Sequence, residues 1–383
     1  MKKTLVLLLA VVFAVPAFAG NIFSNLNTRG EIETIGFNTN GYRGMTPLNA
    51  GQKTVANQVL FGMSMDLVED VRANLTFAYT NVWASWNGDT IDTYLNSIAV
   101  SEANVVVSNI FGAIETKFGR QYYGEEDSPV MYVGPRHNYY VYMGGIVEMS
   151  LDGALATWQN DSAAVSAFYA QGSDLSENRL TGLTFDYAFT NNLTAGVYWY
   201  DASSSGPNSH VGIWGGKAAY KNNGSKLAVE YAKNYKNGVF SHNNEGWMLK
   251  ADAALNLDME KLALTPRVTY YHEEKEFVAL GNYSAGIIVA NMVGPFGFQN
   301  TEDYRVFNAG MDFTFKAMDK VTFAFDYLNL KQDNHWRGNE FDLTAKYQHN
   351  DYVSFTLGGG LATNTDNPDG DIYGVQVGML VKF

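Results

Sequence analysis

The chain closes on "YGVQVGMLVKF", Tyr373 to Phe383. Tyr373, Val375, Val377, Met379, Val381 and Phe383 take every second position, with Gly374, Gln376, Gly378, Leu380 and Lys382 between them. Side chains on a strand point alternately to opposite faces, so this reads as a strand with one apolar face. A strand of that kind needs a partner on each edge. The stretch therefore asks where its second edge goes.

The other end supplies context. "MKKTLVLLLAVVFAVPAFAG" has a charged start at Lys2 and Lys3, an apolar run from Leu5 to Val15, and Ala17-Phe18-Ala19 as a small-x-small cleavage site. The run is well short of the ~20 residues a spanning helix needs, so residues 1–19 read as an export signal and residues 20–383 as the mature chain. There are 0 Cys, which excludes disulfides and thiolate chemistry. Without Lys2 and Lys3, 24 basic residues stand against 39 acidic ones, a net −15 that argues against a nucleic-acid partner. The 24 Tyr, 23 Phe and 37 Gly against only 8 Pro suit a long meander of strands.

Period-two alternation recurs along the chain. Val71, Ala73, Leu75, Phe77 and Tyr79 oppose Arg72, Asn74, Thr76 and Ala78. Leu183, Phe185 and Tyr187 oppose Thr184 and Asp186. Leu249, Ala251 and Ala253 oppose Lys250 and Asp252; Val268 and Tyr270 oppose Arg267 and Thr269; Phe341, Leu343 and Tyr347 oppose Glu340, Asp342 and Lys346. These strands run to about 10–12 residues, the membrane-crossing length for a tilted barrel strand. Their starts fall near 29, 55, 71, 96, 111, 148, 163, 179, 193, 211, 226, 246, 262, 304, 321, 339, 351 and 372. Short links follow even-numbered strands and long ones follow odd-numbered strands. The pattern predicts an all-β, up-and-down antiparallel transmembrane barrel of about 18 strands, with 16 the alternative, in the outer membrane of a diderm bacterium. Strand signals begin near Thr28, which leaves no room for a plug domain ahead of the barrel.

The opening question then has an answer. A barrel has no edge, so the last strand pairs with the first, and Phe383 anchors it at the interface. Gln376-x-Gly378-x-x-Val381-x-Phe383 also resembles the C-terminal signal of outer-membrane proteins, polar-x-Gly-x-x-hydrophobic-x-aromatic, which implies the barrel-assembly machinery as a partner beside outer-membrane lipid.

Two further stretches carry a family resemblance. One is Gly119-Arg120-Gln121, followed some thirty residues later by Asp152-Gly153; the other is "GNEFDLTAKYQHNDYVSFTLGGG", Gly338 to Gly360. They resemble the alginate-export family of outer-membrane porins. That resemblance implies an 18-stranded barrel and a solute channel with an arginine-rich lumen. This chain differs in charge: Arg72, Arg120, Lys250, Arg267, Lys346 and Lys382 fall on the same expected interior face as Asp66, Asp186, Asp252, Asp312, Glu340 and Asp342.

The expected function is passive diffusion of small hydrophilic solutes (sugars, organic acids or oligosaccharides) through a mixed-charge lumen, with no enzymatic chemistry and no cofactor or metal. The alternative is a structural or adhesive barrel with a closed lumen. The expected pore lining is Arg72, Arg120, Asp186, Lys250, Asp252, Arg267, Glu340, Asp342 and Lys346. These charges either form a basic ladder facing an acidic one or pair along the wall. The loop 273–303 is unusually apolar ("YSAGIIVANMVGPFGFQ") and is expected to fold inward as a constriction through Tyr283, Ile287, Met292 and Phe296, or else to pack on neighbouring loops or a subunit. Gly124 to Gly145, with Tyr132, Tyr139, Tyr140 and Tyr142, is a second candidate.

Other motifs carry less. The 6 His fall in expected loops or turns, His272 excepted, without metal-ligand spacing. Asp366, Asp369 and Asp371 share one loop but lack the spacing of a calcium loop. Ser209-His210 and Ser241-His242 are adjacent pairs, whose side chains point apart on a strand, so neither supports a barrel hydrolase.

Overall fold

The computed structural model describes residues 25–39, 52–86, 89–91, 96–126, 128–135, 150–172, 179–203, 210–237, 245–279, 281, 286–287, 303–332, 336–364 and 371–383. The expected export signal, residues 1–19, lies outside them.

Eighteen long strands make the wall. They are β1 Leu26–Thr39, β2 Gln52–Val68, β3 Val71–Trp86, β4 Asn96–Ile110, β5 Ile114–Gln121 and β6 Leu151–Gln159. Then come β7 Ala163–Gly172, β8 Arg179–Ala188, β9 Leu193–Ser203, β10 His210–Asn222, β11 Ser225–Asn237 and β12 Trp247–Ala254, carried on by Leu257–Asp258. The last are β13 Leu262–Glu273, β14 Tyr304–Phe315, β15 Val321–Gln332, β16 Trp336–Gln348, β17 Val353–Asn364 and β18 Ile372–Lys382. Each pairs antiparallel with the next. β18 pairs with β1 from Thr39↔Gly374 to Glu31↔Lys382, which closes the cylinder. Every expected strand is present, and each start falls within three residues of its expected position.

The seam ends on a glycine. Gly30 and Phe383 exchange backbone hydrogen bonds of 2.6 and 2.9 Å. A Cβ on Gly30 would sit 2.2 Å from Cζ of Phe383, so the far end of the ring fills the place a side chain would take.

The short links are built by side chains that imitate backbone turns. Asn160 Oδ1 accepts from Ser162 N and Ala163 N, Thr190 Oγ1 from Asn192 N and Leu193 N, and Asn350 Oδ1 from Tyr352 N and Val353 N. Asn223 and Gly224 both take positive φ, 48° and 80°, the two-residue hairpin geometry an Asn-Gly pair favours. One link on the long side, 333–335, has only three residues, so length alternation fails there. The break in β12 after Ala254 has a local cause: opposite it on β13 stands Pro266, which has no N–H to continue the ladder.

The outer face is apolar and bare. Leu183, Phe185, Val197, Trp199, Leu227, Val229, Leu343, Leu357, Val375 and Val377 are all exposed, Leu227 to 61%. A soluble protein does not present so continuous a band of large apolar side chains, whereas a lipid-facing barrel must. The buried apolar residues lie on the inner face instead. Phe168, Tyr198, Tyr200, Ile213, Met248, Tyr271, Leu328 and Leu330 pack there with Val130, Met131 and Phe277, which come from the links after β5 and β13.

If ring-over-glycine packing closes the seam, Gly30→Val should cost about 1–3 kcal/mol by overpacking. It should lower the temperature at which the folded band is lost in semi-native electrophoresis. Gly36→Ala, whose Cβ would meet only Val377 O at 3.9 Å, should leave that temperature unchanged.

Candidate functional site: the charged inner wall and the loops within it

The exposed apolar rows fix which residues point inward. Between Leu183, Phe185 and Tyr187 on β8 sits Asp186; between Val229 and Tyr231 on β11 sits Glu230; between Phe341 and Leu343 on β16 sits Asp342. The inner rows therefore carry the charge, and the charges pair along the wall.

Arg267 of β13 is the largest such knot. Its guanidinium reaches Asp312 of β14 at 3.2 Å and Asp326 of β15 at 2.7 Å, three neighbouring strands tied by one fork. Gly310 lies beneath it; a Cβ there would meet Arg267 Nη1 at 2.6 Å. On β12, Lys250 and Asp252 are 3.5 Å apart, Lys226 of β11 is 3.9 Å from Asp252, and Thr269 donates to Asp252 at 2.8 Å. Near the short-turn end, Arg72 pairs with Asp66 at 2.7 Å, and Arg29 crosses Gly62 to reach Glu102 at 3.0 Å, where Thr76 also donates at 2.9 Å. Lys382 lies 3.7 Å from Glu31 across the seam. Lys346 shares the inner row of β16 with Glu340 and Asp342.

Arg120 corrects the expected lining. Its register partners are Ala103 and Asp152, and Asp152 stands opposite Gln171, two residues from the exposed Tyr169. That row continues the exposed Phe118 and belongs to the outer face. Counting by two from Phe118 already gives that face; the charge of Arg120, not the period, suggested the lumen. The motif itself is a structural unit. Arg120 forks onto Asp152 at 2.9 and 3.0 Å, Gly119 stands opposite Gly153, and the Gln121 amide donates to Gly153 O at 3.2 Å.

Two links turn into the barrel. After β5, Tyr123–Gly124 pairs with Tyr132–Val133, and the Tyr123 ring stacks on inward-facing Phe168 at 4.1 Å. Glu125 pairs with Lys217 of β10, which also lies 3.7 Å from Asp186. After β13, Val278 exchanges hydrogen bonds with Asn234 of β11, at 2.8 Å and 3.0 Å. Gly281 lies against the backbone of Ser128 and Pro129, so the two links meet. Farther on, Ile287 N donates to Asp342 Oδ2 of β16 at 3.0 Å, and Gly286 lies against the Glu340 carboxylate. The described part of the 273–303 stretch thus touches the inner wall at β11 and again at β16. Tyr283, Met292, Phe296, Tyr139, Tyr140 and Tyr142 lie outside the described residues, as do Asp366 and Asp369. A cavity of about 280 Å³ remains beneath the first link, lined by Glu125, Asp186, Lys217, Glu230, Lys250 and Asp252 among others.

Lys217, Glu230, Asp326 and the Arg29–Glu102 pair were missed from sequence. A signal existed for two of them: Glu230 falls between Val229 and Tyr231, and Asp326 between Phe325 and Tyr327, whereas Lys217, Arg29 and Glu102 have small or polar flanks that mark no face. Among the described residues no group of three or more His, Asp or Glu is placed to hold a metal. His210 opens β10 and pairs with Asp201 at 2.6 Å, and His272 stacks edge-on against Trp247.

A closed eighteen-strand barrel with an apolar exterior and a charged interior is an outer-membrane protein. Its fold is that of the OprD/Occ outer-membrane porins. Pseudomonas aeruginosa OccK5 (OpdH) is 13% identical with a TM-score of 0.61, over 93% of this chain and 98% of that one. OprD of the same species is 14% identical with a TM-score of 0.60, over 96% and 97%. Acinetobacter baumannii OccAB2 is 12% identical with a TM-score of 0.63, over 95% and 99%. No protein-family model matches the chain, and no curated protein matches it by sequence.

Removing the central cation should expose the strength of the wall. Arg267→Ala leaves Asp312 and Asp326 facing one another and should cost about 1–3 kcal/mol, read as a lower unfolding temperature in detergent. Adding Asp326→Asn to Arg267→Ala should recover part of that loss.

Proposed function

We propose that this chain is a porin: a passive channel for small hydrophilic solutes that carries out no chemistry. The observation that carries the reading is the polar inner wall itself. Charges are expensive to keep inside a sealed protein and are at home beside water in a wide barrel. An adhesive or structural barrel needs no such wall.

Selectivity in such a pore comes from diameter, lining charge and inward loops. Arg29, Arg72, Lys217, Lys250 and Arg267 each have a carboxylate partner on the wall or on a link inside it. Among the described residues no unopposed basic ladder runs along these strands, and acidic residues are in excess over the whole chain. The wall therefore favours weak cation preference and uncharged or mixed-charge solutes over polyanions. This bears on kinship to the alginate-export family. Arg120 and Asp152, half of that resemblance, serve each other on the outer face, so they offer no arginine to a polyanion in the lumen.

In a planar bilayer the purified protein should give discrete conductance steps. Reversal potentials under a salt gradient should show weak cation preference; strong anion preference would contradict the wall assignment. Deleting Tyr283 to Phe298 should raise the unitary conductance, and an unchanged conductance would remove this stretch as the constriction.

A further inference from the structure

Asn234 follows Ala228, Glu230 and Ala232 on the inner face of β11 and is wholly buried, at 0% exposure. A buried carboxamide needs partners for both its ends. Its Oδ1 accepts from Val278 N at 2.8 Å; its Nδ2 donates to Val278 O at 3.0 Å and to Gly212 O at 3.4 Å. Val278 lies in the link after β13 and belongs to no strand. Its N–H and C=O are nonetheless met as a neighbouring strand would meet them, by one side chain that offers an acceptor and a donor side by side. Aspartate lacks the donor, and leucine, of similar shape, lacks both.

The backbone around Asn234 suits this contact. The β10–β11 register shifts between Gly212 and Ile213, so Tyr235 is the extra residue of a bulge, and a bulge re-aims the side chains beside it. Gly246, whose carbonyl accepts from Asn234 N at 2.9 Å, passes directly beneath the link: a Cβ there would run into the backbone of Phe277. Phe277 is buried, and Val278 and Ala279 pack against the same apolar cluster. Farther on, a Cβ on Gly281 would run into the backbone of Ser128 and Pro129 in the first link. The place of Val278 therefore bears on both links.

We propose that Asn234 is a positioning residue of the channel: its carboxamide replaces the missing strand beside Val278 and fixes where the link after β13 leaves the wall, and through Gly281 where the first link rests. This deepens the porin reading and rests on it for its effect on conduction. Burial of Phe277 draws the link inward, but apolar burial has no direction. The paired hydrogen bonds supply the direction and select one seat. Without them the Val278 amide and carbonyl lose their partners among apolar side chains, and the link regains partners in water by leaving the wall.

The chain has 0 Cys, so a single thiol at Ala279 reports the seat. Ala279→Cys in detergent-solubilised full-length protein is labelled with a charged methanethiosulfonate, and its rate is divided by that of Asp161→Cys in the exposed β6–β7 turn. The ratio should be low in this parent and rise about tenfold with Asn234→Leu, which keeps the shape and removes both hydrogen bonds. Asn234→Ala should raise it less, because the vacated space admits a water that bridges to Val278. The temperature at which the folded band is lost is read on the same variants. A lower band temperature with an unchanged ratio means that Asn234 only stabilises the barrel, and overturns the proposal; so does a ratio already high in the parent. If Asn234→Leu does not fold, an Asn234→Ala ratio equal to the parent's overturns it. In a planar bilayer, Asn234→Leu without the reporter thiol should conduct more than the native chain; a raised ratio with identical conductance overturns the role in the channel. A raised ratio with no conductance steps from the native chain sinks the porin reading alone. Native conductance with an unchanged ratio sinks the positioning role alone.

Discussion

The structure depends on the pairing of β18 with β1. In hydrocarbon an unmet backbone N–H or C=O costs several kcal/mol, so a sheet can cross a membrane only if its last strand finds its first. Here nine register pairs from Thr39↔Gly374 to Glu31↔Lys382 do this, and the Gly30–Phe383 exchange finishes the seam. Closure forces every strand to show alternate side chains to lipid and to the interior. The apolar exterior and the charged interior are consequences of that one constraint.

The interior is not simply a wet tube. Toward the ends of the strands that carry the long links, the inner face turns apolar, at Phe168, Tyr198, Ile213, Met248, Tyr271 and Leu328. That surface gives Tyr123, Met131 and Phe277 somewhere to dry out, which draws the two links inward. Lower on the same strands the inner face returns to Asp186, Lys217, Glu230, Lys250 and Asp252. Burial of apolar side chains thus holds the described parts of the links in place above a charged wall.

Much of this was legible in the sequence. Strand number, order and approximate starts follow from period two, because lipid on one side and water on the other leave each strand little choice of register. The face of Asp186, Lys250, Asp252, Arg267, Glu340 and Asp342 follows from the same rule. Arg120 was misplaced not by the period, which from Phe118 puts it outward, but by the expectation that a charge faces the lumen. The pairing of charges was not legible either. Arg267, Asp312 and Asp326 are far apart in the chain, and only the stagger between strands brings them under one guanidinium. Nor could sequence place Ile287 on Asp342, since a link's path depends on which apolar surface receives it.

The central claim is that successive side chains on one strand meet lipid and lumen in turn. Single Cys substitutions from Leu227 to Tyr231, spin-labelled in proteoliposomes, test it directly. Accessibility to oxygen should peak at Leu227, Val229 and Tyr231, and accessibility to a water-soluble nickel chelate at Ala228 and Glu230. Accessibilities without that period, or with the two probes exchanged, would contradict the account.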